Sequence, residues 1–92
     1  MATFMLVYSY VPEMETRRQE YRTAHLKNIE AAHERGLIRF AAAFADPVDG
    51  AVLMFEVHSA GEVYDWIATD PYNHAGLVRS ATVRELSVAI PR

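Results

Sequence analysis

Apolar residues follow two rhythms along this chain, one with the period of strands and one with the period of helices. Residues 3–11, Thr-Phe-Met-Leu-Val-Tyr-Ser-Tyr-Val, are β-branched and aromatic and end at Pro12, which predicts a strand. Thr16-Arg17-Arg18-Gln19 has the form of a capping box, a hydroxyl followed three residues later by an amide. It predicts a helix from about Arg17 to Arg35, closed by Gly36, a residue that tolerates the left-handed conformation found at helix ends. On a helical wheel Tyr21, His25, Ile29 and Ala32 share one side with Leu26 at its flank, and Thr23, Lys27, Glu30 and Glu34 lie opposite. The helix is amphipathic, with a histidine on its inner face.

Leu37 to Ala45 reads as a second strand and Ala51 to Val57 as a third, joined by the turn residues Asp46-Pro47-Val48-Asp49-Gly50 into a hairpin. Ser59-Ala60-Gly61-Glu62 is a second capping box. It opens a helix from about Ala60 to Thr69, with Val63, Trp66 and Ile67 inward. Asp70-Pro71 ends that helix, because a residue before proline avoids the helical region. Pro71 to Ala75 allows one further turn, and residues 81–90 make a last strand. The order β-α-β-β-α-β is that of the ferredoxin-like fold, an α+β architecture. It predicts a single domain over residues 1–92, a four-stranded antiparallel sheet and two helices on one face.

A sheet covered on one side only should alternate apolar and polar residues. Phe4-Met5-Leu6-Val7, Phe40-Ala41-Ala42-Ala43-Phe44 and Val52-Leu53-Met54-Phe55 are instead apolar on both faces, and the chain has no spare element to cover the second. The expected solution is a homodimer packed sheet against sheet through the open face, a barrel-like assembly. The alternative is a weakly polar exposed face built from alanines.

Composition narrows the function classes. With 92 residues, 51% of them hydrophobic and 23% charged, the chain is an ordinary globular domain with one core. Nine basic residues against twelve acidic ones, a net charge of −3, provide no excess to neutralise phosphates, so nucleic acid is not an expected partner. There is no cysteine, which excludes disulfides, thiolate metal sites, iron–sulfur clusters and a cysteine nucleophile. The longest apolar stretch, Phe4 to Val11, is far too short to span a bilayer and has no basic region before it. The expectation is a cytoplasmic protein with no membrane partner.

Two residues carry the candidate chemistry. His25 lies on the inner helix face with Arg22 at i−3 and Tyr21 at i−4, and an imidazole whose tautomer is set by a partner can exchange protons near neutral pH. The bland alternative is a structural histidine bonded to backbone. Asp70 places a carboxylate at a helix's end, the unfavourable pole of its dipole. Either it caps the turn from Pro71, or it serves a site by orienting His25. Spacing leaves both alternatives open. His33, His58 and His74 form no ligand-spaced motif, and a mixed cluster of His25, His74 and Asp70 is the only arrangement that suggests a metal, so none is expected. No Gly-x-Ser-x-Gly elbow and no phosphate-binding glycine motif occurs, so no cofactor is expected either. Tyr8, Tyr10 and Trp66 read first as core or interface aromatics.

Arg22-Thr23-Ala24-His25-Leu26, Gly36, Ala45-Asp46-Pro47, and Asp70-Pro71-Tyr72 followed by Ala75-Gly76-Leu77 together resemble the YciI-related (YCII) family of the dimeric α+β barrel superfamily. The resemblance runs over nearly the whole chain. It implies a dimer burying the open sheet face and a ligand pocket between sheet and helices, with a histidine–aspartate pair that maps onto His25 and Asp70. One branch of the family resembles dehydrochlorinases acting on chlorinated hydroxyquinols, and the wider superfamily includes muconolactone isomerases and cofactor-free monooxygenases. Members commonly carry Gly-Pro where this chain has Ala42-Ala43, which changes an expected pocket wall. The resulting expectation is a cofactor-free lyase or isomerase acting on a small acidic or aromatic molecule. His25 would be its acid or base and Asp70 the group that orients it. Arg22 would pair with an anionic substrate group, and Tyr8 or Tyr72 would line the pocket. The rival expectation is a non-catalytic dimeric module that binds a small molecule or only assembles.

Overall fold

In the computed structural model, which describes residues 1–91, the chain runs β1 (Ala2–Tyr10), α1 (Met14–Arg17), α2 (Arg22–Glu34), β2 (Ile38–Ala43), β3 (Gly50–Val57), α3 (Ala60–Ile67), α4 (Pro71–His74) and β4 (Val78–Leu86). The strands form one sheet in the order β2-β3-β1-β4 with every pair antiparallel. This is the ferredoxin-like α+β fold. Alternation along β1 and β3 decides what is buried: Phe4, Leu6, Tyr8 and Tyr10 point to one face together with Leu53, Phe55 and Val57. Ala32 of α2 and Val63, Trp66 and Ile67 of α3 complete that core. Each fully buried side chain of this size contributes roughly 1.5–3 kcal/mol.

The opposite face carries Met5, Val7, Val52, Met54 and Phe40, brought side by side by the pairings Met5↔Met54, Val7↔Val52 and Phe40↔Met54. No described element covers them, and Phe40 is 46% exposed. Apolar side chains thus occupy both faces of the sheet, with helices on one face only.

The first helix departs from expectation. A single helix over Arg17–Arg35 is replaced by two, separated at residues 18–21, and the Thr16–Gln19 box caps neither. Glu13 takes the left-handed conformation (φ 63°) ahead of α1, and the backbone N–H of Thr16 is already bonded to the Glu13 carbonyl, so its hydroxyl sits inside the turn it was expected to start. Met14, 2% exposed, anchors that turn in the core, whereas Gln19 and Glu20 are exposed and have nothing to pack against. The last strand is also displaced, starting at Val78 and ending at Leu86 rather than covering 81–90. Its pairing with β1 ends at Thr3↔Leu86, where β1 itself runs out.

Other signals act as expected. Glu62 reaches back to the Ser59 backbone N–H (3.2 Å) at the start of α3. Gly36 (φ 81°) and Gly76 (φ 73°) close α2 and α4 in the same way: the glycine N–H bonds to His33 or Asn73, and the next N–H reaches Ala32 or Tyr72. No helix among the described residues is long and apolar enough to cross a membrane.

Candidate functional site

Asp70 is the hub of the site. It precedes Pro71 in extended conformation, so its side chain folds over the first turn of α4, and Oδ1 accepts from the backbone N–H of Tyr72 at 3.1 Å. The same oxygen lies 2.6 Å from His25 Nδ1, and Oδ2 accepts from the Tyr8 hydroxyl at 2.8 Å. Asp70 therefore both caps its own turn and bonds to the imidazole. The carboxyl group is fully buried, at 0% exposure. Burial of a lone carboxylate is costly, and here three donors converge on it from β1, α2 and α4.

An ionised carboxylate only accepts, so the neutral ring of His25 carries its proton on Nδ1 and leaves the lone pair on Nε2. Among the described residues Nε2 has no hydrogen-bond partner, and it is not sealed from solvent. The ring itself is held between its bond to Asp70 and the ring of Tyr72, which stacks on it with centroids 3.6 Å apart and planes 5° from parallel. Tyr10 meets Tyr72 edge-on at 5.9 Å and Tyr8 at 5.9 Å, so three tyrosines and the histidine make one packed aromatic cluster. Burial holds all three phenols above their ordinary range, reinforced at Tyr8 by the charge of Asp70 and opposed at Tyr72 by Arg18 and Arg22. The Tyr8 hydroxyl therefore remains a proton donor to Asp70 across the physiological range.

His25 and Tyr72 form part of the wall of a cavity of about 310 Å³ between α2 and the β2–β3 edge. Arg18 and Arg22 line it from the helix side, with Leu26, Ile29 and Glu30 along α2, and Ala41, Ala43, Ala51 and Leu53 form its sheet side. The Arg22 and Tyr72 expected near a ligand lie on this wall. Tyr8 does not: it is 1% exposed, and it stands behind Asp70 rather than in the cavity. Tyr10, two residues on along the same strand face, lines the cavity instead.

Tyr10 and Arg18 were missed by spacing arguments. Tyr10 shares a strand face with Tyr8, and Arg18 lies four residues before Arg22, so both signals were present in the sequence. Among the described residues no three histidine, aspartate or glutamate side chains group closely enough to hold a metal ion. His74 instead bonds to the Ala68 carbonyl at 2.5 Å, and His33 to that of Ile38 at 2.7 Å.

Comparison with known proteins places the fold in a family. The YCII-related domain matches residues 2–87, and the chain belongs to that family. Among curated proteins none matches by sequence. Among solved structures, 5-chloro-2-hydroxyhydroquinone dehydrochlorinase from Burkholderia phenoliruptrix AC1100, in complex with 2,5-dihydroxybenzoquinone, superposes with a TM-score of 0.80. That match has 22% identity over 92% of this chain and 93% of the other. An antibiotic biosynthesis monooxygenase superposes with a TM-score of 0.57 at 17% identity, covering 97% of this chain and 99% of that one. At these identities the likeness is one of fold.

Proposed function

We propose that this protein is a small lyase or isomerase that needs no cofactor and moves a proton on a small acidic or aromatic molecule held in the sheet–helix cavity. The observation that carries this reading is the 2.6 Å contact of His25 Nδ1 with buried Asp70, which leaves Nε2 as an unpartnered base on a ring that lines a cavity. In the forward step Nε2 takes a proton from a substrate carbon or hydroxyl. The electron pair left behind then either expels a leaving group, as in loss of HCl, or shifts a double bond for return of the proton elsewhere. The imidazolium so formed faces the Asp70 carboxylate, which stabilises its charge and keeps the ring oriented. Arg22 pairs with an anionic group of the substrate, and Tyr72 holds the imidazole plane by stacking. The working form is a homodimer closed over the apolar face of Met5, Val7, Val52, Met54 and Phe40.

Incubation with a panel of chlorinated hydroxyquinols and with muconolactone tests this directly, reading chloride release and ultraviolet absorbance. Turnover that falls about 100-fold or more in folded His25→Ala supports the reading. Thermal stabilisation by panel members with no product from any of them would replace it with a non-catalytic binding module.

A further inference from the structure

We infer that Arg18 and Arg22 together form a carboxylate-binding subsite of this cavity, and that Arg18 is the residue that makes the cavity select acids over neutral molecules of the same shape. The inference rests on the reading of the cavity as a ligand site and adds the charge that the ligand must carry. Four ionisable side chains other than the tyrosines line the cavity: Arg18, Arg22, His25 and Glu30. Among the described residues neither guanidinium lies within ion-pair distance of a carboxylate, and Glu30 pairs with no cation. A chain with a net charge of −3 thus concentrates two uncompensated cations against one acid around its candidate base. Local charge opposed to the overall charge marks a surface that attracts an anion.

Position reinforces charge. Arg18 is the C-cap residue of α1 and Arg22 the first residue of α2, so the break between the two helices brings a guanidinium from each element to one wall. Arg18 is half-buried, unlike a freely solvated surface arginine, and its charge reaches inward to the phenols of both Tyr10 and Tyr72. A planar guanidinium fork matches a carboxylate with two parallel hydrogen bonds, and two forks on one wall fix its orientation. Opposite them the surface is low. Ala43 pairs with Ala51 in register and Ala41 with Leu53, so the side chains of the β2 edge end at Cβ and leave room for one ring. The cavity volume of about 310 Å³ is at the small end of ligand sites, which suits a single-ring acid.

Calorimetric titration with 3,4-dihydroxybenzoate and its neutral isostere 3,4-dihydroxybenzamide tests the inference. The acid should bind wild type at least about tenfold tighter than the amide. Arg18→Gln should cut that preference severalfold by weakening the acid alone, leaving only what Arg22 supplies. Arg18→Lys, which keeps the charge but not the fork, should restore part of it, with thermal melts showing each variant folded. Equal affinity for acid and amide, a preference undiminished by Arg18→Gln, or binding of neither at millimolar concentration would overturn it. The test is separable from the proton-transfer reading because His25→Gln should keep the preference for the acid. Arg18-dependent binding without any His25-dependent turnover defeats that reading alone, and His25-dependent turnover of a neutral substrate with no preference for acids defeats this inference alone.

Discussion

Tyr8→Phe isolates one hydrogen bond without disturbing packing, because phenylalanine fills the same volume. The lost bond joins the Tyr8 hydroxyl to Oδ2 of Asp70 at 2.8 Å, and among the described residues that oxygen has no other partner. Hydrogen bonds to charged groups contribute about 1.5–3 kcal/mol, and Asp70 at 0% exposure has no water to replace the missing donor. The expected loss is therefore about 2 kcal/mol, equivalent to a fall in melting temperature of about 8–16 °C for a domain of this size. Tyr10→Phe is the internal control. Tyr10 is as deeply packed, at 4% exposed, but its hydroxyl makes no hydrogen bond to the carboxylate, so the same deletion should change stability by less than about 0.5 kcal/mol. Urea unfolding at a single protein concentration, with equal slopes for all three proteins, reads the difference as a shift in midpoint. Equal midpoints for Tyr8→Phe and wild type would refute the argument that Tyr8 holds Asp70.

Further outcomes follow from the same residues. Tyr8 and Tyr10 are held protonated in the folded state above the ordinary phenol value of 10.0, so the unfolded chain loses those protons first as pH rises. Stability should be full below about pH 10 and then fall by about 1.4 kcal/mol per pH unit for each of the two, which urea midpoints between about pH 9 and 11 would show. An unchanged midpoint across that range contradicts the assigned burial. Met54→Glu places a charge at the centre of the open sheet face, opposite Met5 and beside Phe40. Light scattering should show wild type as a dimer and this variant as a folded monomer, whereas a dimer unaffected by the charge would put the interface elsewhere.

The overall topology was legible because each strand announced itself by β-branched and aromatic runs and each turn by its own chemistry, such as Asp46-Pro47-Val48-Asp49-Gly50. The double-sided apolar strands signalled an open face in the same way. The break before α2 was not legible, because it depends on a left-handed Glu13 and on Met14 finding the core, a tertiary choice that overrides a local capping signal. The candidate site was legible in residue types but not in distances. His25 and Asp70 are 45 residues apart and Tyr8 and Asp70 are 62, and only the packing of α2, α4 and β1 on one another decides that the three groups meet. That packing also gave Tyr8 a place behind the carboxylate that alternation along a strand could not assign.

The measurement that bears most directly on the account is the nitrogen-15 spectrum of the His25 ring at about pH 8, where an ordinary imidazole is neutral. The account predicts a protonated Nδ1 and an Nε2 with the shift of a lone-pair nitrogen, the Nε2 signal moving when 3,4-dihydroxybenzoate is added. A proton on Nε2 with a bare Nδ1, or an Nε2 signal indifferent to every ligand that binds the cavity, would contradict the claim that His25 is a base held ready by Asp70.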